Sequence, residues 1–331
     1  MEGIFGGSFA FFQDGLSTFY FIMQSTMFFM IPLMIVALGG LFSEKSGIVN
    51  IALEGKMIMG AFTGILFITT FQERIPGQPV LVLGLLVAMG TGMLVSLFHA
   101  FASINLKASQ IISGTAINMF APAFAVYVSR FVTGTQNVHF RNEFRIESVP
   151  LLGRIPFLGP MLFQRTYFTT FLGFIILAIA AFVLYRTKFG LRLRACGEHP
   201  QAADSVGVSV AKMRYSGVLI SGALAGIGGV IWVVPITTVF AGAVNGYGFL
   251  ALAVLIFAGW RPVRIMFAAF FFGLMQTVSF SYSVIPFLPN AIPGHFYRMI
   301  PFVMTLVVLA FTSKNTMAPK AAGQPYDKGG R

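Results

Sequence analysis

Apolar runs close to the length that crosses a bilayer recur along this chain: Ser17–Leu41, Ile48–Phe71, Val80–Ile104, Ile111–Phe131, Tyr167–Tyr185, Tyr215–Phe240, Ile265–Ile285 and Phe296–Thr312. A helix needs about 20 predominantly apolar residues to span the hydrocarbon core. Inside lipid a backbone must satisfy its own hydrogen bonds, so such runs fold as helices. A shorter run, Tyr247–Trp260, has the length of a re-entrant or broken segment. The expected fold is an all-α polytopic membrane bundle of about nine to ten segments. A short stretch near Phe5–Phe12 is the tenth candidate, and counting it would move the N-terminus inside. Composition agrees: 56% of residues are hydrophobic and only 10% charged, whereas soluble domains carry about a quarter charged residues.

The net charge is +12. In a soluble protein that balance would suggest nucleic acid, but no nucleic-acid-binding motif occurs, and basic residues collect in cytoplasmic loops of membrane proteins. The stretch 186–214 holds Arg186, Lys188, Arg192, Arg194, Lys212 and Arg214, and is placed in the cytoplasm. Counting spans outward from it puts Lys45, Lys107, Arg261, Arg264 and the tail lysines inside as well. Arg74 and the arginines of the loop 132–166 fall outside. The transmembrane domain is read as 1–313, with a cytoplasmic tail at 314–331. The loop 132–166, rich in Pro and Gly, is expected to cap the outer face. The one cysteine, Cys196, excludes an intrachain disulfide and a cysteine-based metal site. No Lys or Arg precedes the first apolar run, so no signal peptide is expected.

Asn50, Glu54 and Lys56 interrupt an otherwise apolar segment. Ionisable groups at membrane depth are costly and usually face a cavity or a protein partner. On a helix, Asn50 and Glu54 would share a face, while Lys56 would point away from Glu54. Lining a translocation pathway is one reading; a structural hydrogen bond to a neighbouring helix is the other. Asn118, with Ser113, Thr115 and the helix-kinking Pro122 nearby, carries the same two readings. So does Asn245, which opens the short segment. Small residues four apart at Gly60/Gly64 and Gly222/Gly226 permit close helix crossings, read here as packing within one bundle.

In the cytoplasmic stretch, Pro200 suits the first turn of a helix and Gly207 suits its end. A short helical knob is therefore expected over Pro200–Val206, with Ala202 and Ala203 as a small-residue face. It would dock on a soluble partner or be an ordinary basic loop. No GxxxxGK[ST] motif is present, so nucleotide hydrolysis through a P-loop is not expected of this chain. His99, His139, His199 and His295 are scattered without metal-ligand spacing.

Taken together, SGIVNIALEGKMIMGAF (46–62), GEHPQAADSVGVSV (197–210), SGALAGIGG (221–229) and GYGFLALAVLIFAGWRP (246–262) resemble the permease subunits of ABC importers in the branched-chain amino acid, ribose and nucleoside group. FSEKSGIVNIALEG and the ending PKAAGQPYDKGGR are similar to the shorter permease of the nucleoside branch. Lys56 departs from the pattern, which more often has an uncharged residue there. The resemblance implies a type II importer-like bundle in a bacterial cytoplasmic membrane. It further implies an ATPase partner that uses ATP, a second and often non-identical permease, and a substrate-binding lipoprotein or periplasmic protein. No cofactor or metal is expected on this chain, and lipid is its surroundings. The stretch Gly197, Glu198, Pro200, Ala202, Ala203, Asp204 and Gly207 would be the coupling loop to the ATPase. Asn50, Glu54, Asn118 and Asn245 would line the path. Importers of simple sugars or branched-chain amino acids are the alternative within the group. An ion-coupled carrier with Glu54 as its titrating group is the alternative from another class.

Overall fold

Long apolar runs become long helices, and a computed structural model describes residues 2–282, 293–312 and 318–327, with side chains from residue 15 onward except at 298, 308, 309, 311 and 312. In chain order the helices are α1 (Glu2–Lys45), α2 (Leu53–Phe71), α3 (Gln78–Ala100), α4 (Gln110–Thr133) and α5 (Phe168–Arg186). There follow α6 (Lys188–Glu198), α7 (Pro200–Ser205), α8 (Val210–Ile236), α9 (Tyr247–Phe257), α10 (Pro262–Ser281) and α11 (Gly294–Thr312). Seven of these are long and apolar enough to cross a membrane, and α9 is a shorter apolar helix. With the 19-residue α11, each of the nine expected segments contains a helix, although residues 48–52 and 237–240 are not helical and 283–285 lie outside the described residues. The stretch Phe5–Phe12 is not a separate tenth: α1 runs through it without a break.

Helix α1 is the central post. Of its most apolar window 89% is buried, against 17% for α4 and 28% for α5. Helices α8 and α10 pack along it, and α2, 72% buried like α8, packs on α8 and α3. Their close approach rests on glycine. A Cβ on Gly60 would run into Gly226, and one on Gly222 would run into the Gly92 carbonyl. The small-residue pairs therefore pack α2, α3 and α8 against one another within the chain.

The end of the bundle formed by the loop 132–166 carries two small antiparallel sheets. β1 (Val138–His139) pairs with β4 (Val239–Phe240), and β2 (Arg145–Ser148) pairs with β3 (Gln164–Tyr167). The loop 132–166 is thereby tied to the bundle. Asn142 donates to the Val234 carbonyl at 2.7 Å, and Gln78 donates to that of Phe144 at 2.9 Å. At the opposite end, Lys45, Arg194, Arg261, Arg264 and Lys320 gather around one cleft, and Lys107 lines another with the 204–214 segment. These cations, all assigned to one side by charge counting, thus lie at one end of the bundle, while Lys314, Lys328 and Arg331 lie outside the described residues.

Residues 318–327 do not trail away from that face. The Ala321 N–H donates to the Gly197 carbonyl (2.9 Å), and the Gly323 N–H to that of Gly47 (3.2 Å). Arg214, 1% exposed, donates to the Gln324 carbonyl (3.1 Å), and Lys107 pairs with Asp327 (3.3 Å).

Candidate functional site

Between α1 and α2 the chain turns at Gly47 (φ +98°) and climbs back beside α1 through residues 48–52 without helical structure. Five residues of open backbone inside a bundle leave polar groups that lipid cannot satisfy. Side chains from other helices supply partners. Gln110 accepts from the Val49 N–H (2.7 Å), and His99 Nε2 donates to the Val49 carbonyl (3.2 Å). A carbonyl only accepts, so Nε2 carries the proton and Nδ1 accepts from Ser113 Oγ at 2.8 Å. Asn118 works in both directions: its Nδ2 donates to the Ile51 carbonyl (2.9 Å), and its Oδ1 accepts from the Gly55 N–H (2.8 Å).

This break corrects the helical reading of Asn50. The residue precedes α2 and shares no helical face with Glu54. Fully buried, Asn50 donates to Ser221 Oγ on α8 (2.6 Å) and accepts from Lys56 Nζ (2.9 Å). Glu54 turns toward α9 instead. Its two oxygens accept from the Gly246 N–H (2.8 Å) and the Gly248 N–H (2.6 Å). A carboxylate there meets both the unpaired amides and the positive end of the helix macrodipole. Glycine at 248 allows the approach, since a Cβ would overlap the Glu54 backbone. The far end of α9 is held too, by Trp260 Nε1 donating to Glu44 Oε2 (2.5 Å).

With about 1.5 Å rise per residue, the eleven residues of α9 put its N-terminus roughly 16 Å from the cytoplasmic end, near mid-membrane. Asn50, Glu54 and Asn118 thus gather at the start of α2 at that depth, each with its own bonding partners. Asn245 stands beside it at φ +53°, exposed and one residue before the α9 cap. No spacing in the sequence joins Gln110, His99 or Ser221 to these residues, or pairs Glu44 with Trp260 at the far end of α9. Their signal was only that each is a polar group within or at the end of an apolar run.

At the end of the bundle that carries the clustered cations, α7 forms where the short knob was expected, with Pro200 in its first turn and Gly207 (φ +82°) just beyond it. The two alanines do not share a face, which corrects the expected pairing. Ala203 is buried with Cys196 and Val210, and Tyr326 packs against them. Ala202 faces out, as does Val206, 78% exposed. Glu198 turns toward its own chain, 4.0 Å from Lys45 Nζ and 3.5 Å from the Lys320 N–H. Asp204 lines a cleft with Tyr326 and Asp327. Burial pushes the Cys196 thiol above its ordinary pKa, which leaves little thiolate at neutral pH.

Residues 22–309 match the family described as branched-chain amino acid transport system permease component. The chain is 42% identical to the guanosine ABC transporter permease protein NupQ of Bacillus subtilis, over 94% of this chain and 97% of that protein. It is 38% identical to the nucleoside ABC transporter permease protein NupC of Lactococcus lactis subsp. cremoris, over 95% and 98%. It is 30% identical to the putative glucose ABC transporter permease protein TsgC13 of Haloferax volcanii, over 89% and 94%. No solved structure gives a significant match.

Proposed function

The chain belongs to the branched-chain amino acid transport system permease family, and from that premise we propose that it is the membrane-spanning subunit of an ATP-driven importer of nucleosides in the cytoplasmic membrane. The observation that carries the substrate class is the near full-length similarity to a guanosine and a nucleoside permease. ATP is bound and hydrolysed by a separate ATPase, a second permease completes the channel, and a substrate-binding protein delivers the ligand. This chain binds no cofactor of its own.

In this reading the ATPase grips the knob formed by α6 and α7. Gly197 packs so closely on the Lys45 carbonyl that a Cβ would clash. Movement of the knob therefore passes to the Gly47 turn and on to the Asn50–Glu54–Asn118 cluster. Those three shape the wall of the path, and Asn245 offers it an amide. Their bonds are already made within the protein, so the wall holds substrate weakly, as an importer that must release its cargo requires.

The test is reconstitution with the cognate ATPase, second permease and binding protein. ATP-dependent uptake of a labelled nucleoside, undiminished by excess glucose or leucine, is expected. Uptake blocked by glucose would move the chain to the sugar branch. Uptake that persists without ATP and collapses with the proton gradient would remove it from the ATP-driven class.

A further inference from the structure

A cleft of about 820 Å³ opens on the cytoplasmic face where three membrane helices end. Lys45 closes α1, Tyr185 lies in the last turn of α5, and Pro262 begins α10, so the cleft sits at the level of the lipid headgroups. Its charge is lopsided. Among the described residues, Lys45, Arg194, Arg261, Arg264 and Lys320 line it, against one lining carboxylate, Glu198. Like charges so arranged repel: Lys45 lies within electrostatic reach of Arg194 and Arg261, whose effect is offset by Glu198 and by Glu44 behind it. The side chain of Lys45 is only 15% exposed, and its ion-pair partner Glu198 stands at 4.0 Å, the outer limit of such contacts. Spreading cations along a loop would satisfy the positive-inside rule. Turning five of them into one cavity is a further step that the rule does not demand.

The walls fit an interfacial ligand. The Arg194 guanidinium lies over the Tyr185 ring at 5.2 Å. Val263 is 57% exposed at the mouth, and Phe267, one turn further along α10, is 63% exposed. An anion seated among the cations would therefore have apolar surface beside it for acyl chains. Basic pockets between membrane helices on the cytoplasmic side suit phosphate-bearing headgroups, and arginine forks match phosphate oxygens.

We infer that this cleft is a binding site for a phosphate anion, carried by an acidic phospholipid of the inner leaflet. The bound headgroup neutralises the cleft and ties α1, α5, α6 and α10 together beside the coupling knob.

The test uses the purified full chain in detergent and follows its thermal midpoint during titration. Phosphatidylglycerol is expected to raise the midpoint and phosphatidylcholine to leave it, because a ligand of the folded state stabilises it by mass action. Arg264→Gln and Lys320→Gln each remove an exposed cation of the cleft. Each should weaken the phosphatidylglycerol effect about five-fold, as expected for one basic residue at an anionic surface. Lys212→Gln, an exposed cation outside the cleft, should keep it. Inorganic phosphate that reproduces the rise would support the anion site while assigning it to a soluble source. Equal shifts with both lipids, or full retention in the Arg264→Gln, Lys320→Gln double variant, would overturn the proposal. So would variants that keep the lipid response and lose only ATPase co-purification, since the cleft would then be a protein dock.

Discussion

An ionised carboxylate at mid-membrane is tolerable only when its oxygens are occupied, and Glu54 occupies both with the first amides of α9. Glu54→Gln would replace one acceptor oxygen with a donor facing an N–H. Losing one charge-assisted bond costs about 1.5–3 kcal/mol, and the short helix would be seated less firmly. Both the thermal midpoint in detergent and the rate of nucleoside uptake should fall. A variant that keeps both would show that the cap is dispensable. Asn245→Ala supplies the contrast. Its side chain is exposed and its φ of +53° strains alanine, so the midpoint should fall only slightly, and equally in Asn245→Ser, while uptake drops far more than that small loss of stability explains. Unchanged uptake would remove Asn245 from the path.

Helix crossings in this bundle depend on missing Cβ atoms. Gly226 lies where α8 meets both α2 and α3, with the Ala88 carbonyl and the Gly60 backbone against it. Gly226→Leu should force the three helices apart at a cost above the usual ~1–3 kcal/mol of overpacking. The expected result is aggregated protein on size exclusion. Gly90→Ala, with open space around it, should elute normally. The terminal strap is a second element-level contact. Residues 318–327 hold Gly47, Gly197 and Arg214, and Tyr326 packs over the Cys196 cluster. The intact chain should therefore react slowly with maleimide, and a chain ending at residue 317 should label faster at the same pH. Equal rates would mean that the strap does not shield the knob. The spans and glycine crossings were legible in the sequence because each follows from run length or local spacing. The start of α2 was not. Residues 48–52 read as apolar helix, yet Gln110, His99 and Asn118 satisfy their backbone from outside the run. The sequence 314–331 reads as a polar tail because the partners of its described part, 318–327, include backbone carbonyls that composition does not reveal.

Across the whole molecule, carboxylates hold the two ends of one half-length helix. Glu54 caps α9 at mid-membrane and Glu44 holds Trp260 at the cytoplasmic end, while the knob leans on the same α1–α2 turn through Gly197. In the proposed importer, a push at the knob would have a packed route to the membrane centre, and the surface proposed to receive it is the outward side of α7. Ala203 is the wrong position to probe it, because it is buried with Cys196 and Val210; an arginine there would break the knob itself. Val206 and Ala202 face out. Val206→Arg should leave the thermal midpoint of the isolated chain unchanged, since exposed substitutions usually stay within about 0.5 kcal/mol. In the assembled importer it should lower substrate-stimulated ATPase activity and uptake together, as loss of a docking contact requires. A variant with normal uptake would place the motor elsewhere. One with normal ATPase stimulation and no uptake would put the defect beyond the joint, in the route from the Gly47 turn to the α9 cap.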